Sequence, residues 1–283
     1  RRDEVVQVSN NPIAAITFGN GILEACEGDI IQISDNSNWI DVFLPNTFLW
    51  TVSPGSPAAT ITNNTNEDAD CEFINPGSYI LTLDITDANG CTGSISTPII
   101  NVWENPTADF TLSAILCEDN PITFTADCTD GDGSINDWQW HFGIDSDPPT
   151  FASNVVNNSV DVSYSSNGPK DITLEVTDDN GCSDFDPLSI IINELPIAGF
   201  TSTKVCAGQP VTFEDASIGN IASYNLTFSD GININTTTFP NLLSIPYEYT
   251  YINPIDPFVG AKVGAELIIT DQANCKDTFS YNS

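Results

Sequence analysis

Methionine is absent from this chain, histidine occurs once, and lysine and arginine together number 6 against 39 aspartates and glutamates. The formal charge of −33 repels nucleic acid and anionic lipid, so no nucleic-acid partner is expected. Cations are attracted instead. No run approaches the roughly 18 consecutive apolar residues of a transmembrane helix, so no membrane insertion is expected. A chain without methionine is expected to be processed, or to be an excerpt of a longer one. The eight cysteines include no C-x-x-C pair, which argues against a zinc ribbon or a thioredoxin-like centre. P-loop, nucleophile-elbow and H-E-x-x-H patterns are also missing. No catalytic residue stands out, and the chain is not expected to be an enzyme.

What is present points to packed cores: 40% hydrophobic residues, with 15 Phe, 7 Tyr and 5 Trp, argue against disorder despite the charge. An even cysteine count in an acidic, turn-rich chain fits an oxidising compartment.

The sequence repeats. Three segments open alike: Asn11-Pro12-Ile13-Ala14, Asn105-Pro106-Thr107-Ala108 and Leu195-Pro196-Ile197-Ala198. Each is followed by a leading cysteine, in Cys26-Glu27-Gly28-Asp29, Cys117-Glu118-Asp119-Asn120 and Cys206-Ala207-Gly208-Gln209. Each repeat closes on a strand and a trailing cysteine: Leu83 to Asp87 with Cys91, Leu174 to Asp178 with Cys182, and Leu267 to Asp271 with Cys275. Three registers agree, so the expected units are 11–104, 105–194 and 195–283, the last with its final strand truncated. Residues 1–10 contain Val5-Val6-Gln7-Val8, which matches the closing strands of the first two units and so reads as the last strand of a preceding repeat.

Within each unit the apolar period is two. Ile122-Thr123-Phe124-Thr125 alternates, as does Trp138-Gln139-Trp140-His141-Phe142. Such alternation turns one strand face inward and the other outward. Gly, Asn, Asp and Pro cluster between the runs at the spacing expected of all-β sandwiches.

The run Asp130-Gly131-Asp132-Gly133-Ser134-Ile135-Asn136-Asp137-Trp138-Gln139-Trp140-His141-Phe142-Gly143 resembles the signature of PKD (polycystic kidney disease) domains. His141 stands where that family usually carries Asp. Weaker forms occur in Tyr224 to Gly231 and in Phe48-Leu49-Trp50-Thr51-Val52. Gly77-Ser78-Tyr79-Ile80-Leu81-Thr82-Leu83-Asp84-Ile85-Thr86-Asp87 is similar to the later part of the family pattern. The repeated cysteines add a resemblance to PKD arrays of Bacteroidota cell-surface adhesins. The resemblance implies an all-β fold of three tandem Ig-like sandwiches in a linear array. It also implies an extracellular, cell-surface location and a spacer, adhesive or carbohydrate-associated role.

Candidate residues each carry two readings. Phe48, Trp50, Trp138, Trp140, Phe142, Tyr224 and Phe228 are either a sugar-stacking platform or the core strand of each sandwich, and recurrence at one repeat position favours the core. Trp39 and Trp103 fall outside the pattern and suit junction contacts. Asp127, Asp130, Asp132, Asp178 and Asp179 fall in two loops that an Ig-like topology brings to one end. They are either a calcium site, calcium being the one cofactor the sequence suggests, or a solvated acidic loop. The spacing is not that of an EF-hand.

The cysteines admit two pairings. Intra-unit bridges would join Cys26 to Cys91, Cys117 to Cys182 and Cys206 to Cys275. In an Ig-like sandwich, however, the leading and trailing cysteines lie at opposite ends. Seven strand residues span ~23 Å, whereas a disulfide needs Cα atoms within roughly 7 Å. Strand direction favours inter-unit bridges Cys26–Cys182 and Cys117–Cys275, with Cys71–Cys128 as a third. The expected function is a non-enzymatic, rod-like segment of an adhesin or filament that spaces a binding tip and bears tension. Its expected partners are neighbouring repeats of the same longer chain, other copies in a filament or bundle, and a surface glycan or protein ligand. The alternative is an accessory carbohydrate-binding region of a secreted hydrolase.

Overall fold

The computed structural model describes residues 10–19, 23–38, 45–113, 115–153, 159–206, 209–229, 233–236, 247–250 and 264–282. The expectations for the strand before residue 10 and for Trp39 lie outside these residues. Every regular element among the described residues is a β-strand.

The apolar residues gather into three separate cores. The first includes Ile33, Trp50, Phe73, Tyr79, Leu81 and Leu83. The second includes Phe124, Trp138, Trp140, Phe142, Leu174 and Val176. The third includes Phe213, Tyr224, Leu226, Phe228, Leu267 and Ile269. Each core lies between two mainly antiparallel sheets. In the middle unit one sheet runs Phe110–Leu112, Ile122–Ala126, Ser159–Tyr164, Ser146–Asp147. The facing sheet runs Thr150–Ser153, Ile135–His141, Gly168–Asp178, Ser183–Ile192. The flanking units repeat the plan, with Pro45–Ser53 beside Gly77–Asp87 and Ile221–Phe228 beside Gly264–Asp271.

Period-two alternation explains the packing. Ile172, Leu174 and Val176 are all fully buried, while Thr173 and Thr177 between and beyond them are half-buried and Glu175 is exposed. The fold is therefore an all-β series of β-sandwiches.

One irregularity recurs three times. The register shifts between Pro45 and Thr47, between Ile135 and Asp137, and between Ile221 and Ser223. The first residue of each shift faces Asp87, Asp178 or Asp271, the last residue of the neighbouring strand. An extra residue of this kind bends the strand and ends regular pairing, and so fixes where the adjoining turn begins.

Candidate functional site at the unit junctions

The trailing cysteines sit in one turn built three times. Asp87 Oδ1 accepts the amides of Asn89 and Cys91; Asp178 Oδ1 accepts those of Asn180 and Cys182; Asp271 Oδ1 accepts those of Ala273 and Cys275. The aspartate amide in turn donates to the cysteine carbonyl at 3.0, 2.9 and 2.9 Å. The residue before each cysteine takes positive φ: Gly90 at 84°, Gly181 at 85° and Asn274 at 66°. Glycine, and after it asparagine, tolerates this left-handed conformation best.

The leading cysteines share a second turn. The amides of Asp29, Asn120 and Gln209 donate to the carbonyls of Cys26, Cys117 and Cys206 at 3.0, 3.4 and 3.0 Å. This turn also grips the segment leaving its own unit. Glu24–Cys26 pairs in parallel with Ile100–Trp103, Cys26 opposite Trp103, and the Glu27 amide donates to Trp103 O. Half-buried Trp103 thus lies at a junction. At the second junction Cys117 bridges Asn193, and the Glu118 amide donates to Asn193 O.

Leading and trailing turns of successive units meet as disulfides. Cys26–Cys182 has its Cα atoms 5.5 Å apart, and Cys117–Cys275 has them 5.7 Å apart. Cys117, Cys182 and Cys275 are buried. Neither bond joins two cysteines of one repeat. Cys71 and Cys128 are a correction: both are free thiols. Cys71 is fully buried in the first core, on a strand between Ile31 and Ile61, whereas Cys128 packs on the second core and its Sγ donates to Asp109 O. Each turns into its own unit, and Cys71, fully buried, is closed off from any partner across the junction. Burial pushes the Cys71 thiol up to about 12, and burial likewise raises Cys128.

Four of the five aspartates read as a calcium site accept backbone amides. Asp130 Oδ1 accepts the Ile135 amide, Asp132 Oδ2 the Glu104 amide and Asp179 Oδ1 the Ser134 amide. Asp178 caps its own turn, and the Asp127 amide donates to Asp109 O. The carboxylates of Asp130, Asp132, Asp178 and Asp179 serve separate backbone amides, that of Glu104 lying at the linker. Among the described residues no three His, Cys, Asp or Glu side chains are grouped so as to hold a metal ion.

Two glycines make room here, Gly131 for the linker and Gly133 for the trailing turn. A Cβ on Gly131 would lie 2.4 Å from Glu104 O and 2.5 Å from Asn105 O. One on Gly133 would lie 2.5 Å from Asp178 Oδ2 and 2.6 Å from Asp179 Oδ1. Asp184 Oδ2 and Asp277 Oδ2 tie down the amides of Ala108 and Ala198, two residues beyond each linker proline. Sequence reading missed the capping role of Asp87, Asp178 and Asp271, although an aspartate four residues before every trailing cysteine was visible.

The aromatic residues occupy the cores. Trp50, Trp138, Trp140, Phe142, Tyr224 and Phe228 are buried, and Phe48 packs partly buried against the first core. Phe110 meets Trp140 edge-on at 5.1 Å and Trp140 stacks on Phe142 at 5.5 Å. Exposed His141 lies on the opposite strand face. No helix among the described residues is long and apolar enough to cross a membrane.

Sandwiches of this plan, joined end to end, define a class of Ig-like repeat arrays. Residues 103–191, which span the second sandwich, match the family model of the PKD domain. Among solved structures, the fibronectin(III)-like modules of Clostridium thermocellum CbhA are 16% identical, with a TM-score of 0.33, covering 64% of this chain and 95% of theirs. The FN1-FN3 domains of chicken CNTN1 are 9% identical, with a TM-score of 0.34, covering 97% of this chain and 99% of theirs. A structure of a 1.5-MDa bacterial ice-binding adhesin is 13% identical, with a TM-score of 0.33, covering 97% of this chain and 98% of that one. No curated protein matches the chain.

Proposed function

We propose that the chain is a non-enzymatic spacer segment of an extracellular adhesin-like protein. Units 11–104, 105–194 and 195–283 hold a binding module away from its anchor and carry tension between the two. The observation behind this reading is that two successive junctions are each spanned by a peptide linker and by a disulfide. Disulfides that persist imply an oxidising compartment, which fits the cell exterior. Proline in each linker restricts both itself and its predecessor, which stiffens the connection further. The neighbours such a segment needs are other repeats of the same longer chain.

A carbohydrate-binding role would require exposed coplanar rings, and the recurrent aromatic positions are spent in the cores. Force spectroscopy tests the spacer reading. Pulled from its ends, the oxidised chain should release far less contour length than the reduced chain, because the bridges short-circuit the segment between residues 26 and 275. Equal extension in both states would overturn load sharing, and specific capture on a glycan array would favour the carbohydrate reading.

A further inference from the structure

Cys91 and Cys206 have no disulfide partner, yet each occupies the same turn as bonded counterparts in this chain. Cys91 repeats the hydrogen bonds of Cys182 and Cys275: its amide donates to Asp87 Oδ1 at 2.8 Å and its carbonyl accepts the Asp87 amide at 3.0 Å. Cys206 repeats the turn of Cys26 and Cys117, its carbonyl accepting the Gln209 amide at 3.0 Å. Exposure separates Cys91 from its trailing counterparts Cys182 and Cys275, both buried, and Cys206 from its leading counterparts, half-buried Cys26 and buried Cys117. Cys117 is 0% and Cys275 0% exposed within their junction, whereas Cys206 is exposed and Cys91 half-buried. The turn hydrogen bonds that present a junction cysteine are repeated at both positions.

The pairing rule of the two observed bonds is directional. The leading cysteine of one unit bonds the trailing cysteine of the next, and never the reverse. Under that rule Cys206 seeks a trailing cysteine and Cys91 a leading one, so the two ends of this chain are complementary to each other. We propose that Cys91 and Cys206 are the open halves of two further junction disulfides, each closed by a like sandwich unit stacked head to tail. A second copy of this chain is such a unit, and Cys206 of one copy then bonds Cys91 of the next. The other two free thiols do not compete: Cys71 is sealed in the first core, and Cys128 packs against the second core and donates to Asp109 O.

Closing the bond takes two electrons and two protons from a pair of thiols. Glutathione disulfide supplies the oxidising equivalents by exchange: one thiolate displaces a glutathione thiol, the partner thiolate displaces the second, and two reduced glutathiones leave. The proposal concerns the two open cysteines alone, so its failure would leave the force measurement on the internal bridges unaffected.

The test mixes two variants of the full chain, C91A and C206A, at high concentration in a glutathione redox buffer. Each variant alone should remain a monomer with its internal disulfides intact. The mixture should give a dimer that runs no further, and peptide mapping should find Cys206 of the C91A copy joined to Cys91 of the C206A copy. The unsubstituted chain should give a ladder of linear multimers. A ladder or dimer from either variant alone, a Cys206–Cys206 link, or a mixture that stays monomeric would overturn the proposal.

Discussion

One position is filled by two different residues in the first and second units, and both solve the same problem. Tyr79 OH donates to Asn75 O, four residues back, at 2.7 Å, and also lies 3.1 Å from Ala58 O. In the middle unit Lys170 stands there; its Nζ donates to Ser166 Oγ, again four residues back, and lies 3.8 Å from Asp145 Oδ2. Each pins the corner where the chain enters its long central strand, as the tyrosine corner of Ig-like sandwiches does. Tyr79→Phe should therefore lower unfolding free energy by about 1 kcal/mol, read from denaturant midpoints. Tyr164 behaves oppositely. Among the described residues its buried hydroxyl has no hydrogen-bond partner, so Tyr164→Phe should be neutral or stabilising by up to about 1 kcal/mol. Burial pushes the Tyr164 phenol up to about 12, above its ordinary value near 10. The folded state thus favours the neutral phenol. Its contribution is intact below the ordinary value and is lost as pH rises through about 12. Denaturation curves taken between neutral and strongly alkaline pH should show this loss, and Tyr164→Phe should flatten it.

Turns, more than strands, separate what the sequence makes visible from what it hides. Strand faces follow from period-two alternation, as in Ile172, Leu174 and Val176, and the same alternation turns Trp138 and Trp140 inward. Strand direction likewise indicates that Cys26 and Cys91 lie at opposite ends of a sandwich. Carboxylate roles do not follow in this way. Asp130, Asp132, Asp178 and Asp179 read equally well as cation ligands, because composition cannot reveal which backbone amides a bulge and a linker leave uncovered. The structure assigns those amides to them. The same limit applies to Cys71 and Cys128: position near a junction does not reveal that each side chain turns into its own core. Asp178→Ala removes two charge-assisted bonds from the trailing turn and should cost about 2–4 kcal/mol. It should also slow recovery of Cys26–Cys182 during oxidative refolding, measured by thiol trapping. Gly131→Ala meets two linker carbonyls at once and should cost about 1–3 kcal/mol in thermal unfolding. Small-angle scattering on that variant should show a broader distribution of interatomic distances.

At the scale of the molecule, each core is closed by its own sheets, and neither disulfide lies within a single core. Reduction should therefore leave the far-ultraviolet spectrum of β-structure in place while widening the distances between units in scattering. A collapse of that spectrum on reduction would show that the sandwiches need their bridges to fold. The bridges also overlap along the chain. One closes a loop from residue 26 to 182 and the other from 117 to 275. Any single peptide bond cut between residues 26 and 275 leaves both fragments attached, and between 117 and 182 they stay attached twice over. A protease that nicks one exposed loop would then release nothing. Gels of a lightly digested sample should show fragments only after a reductant is added, and the segment would outlast damage that severs an unbridged string of domains.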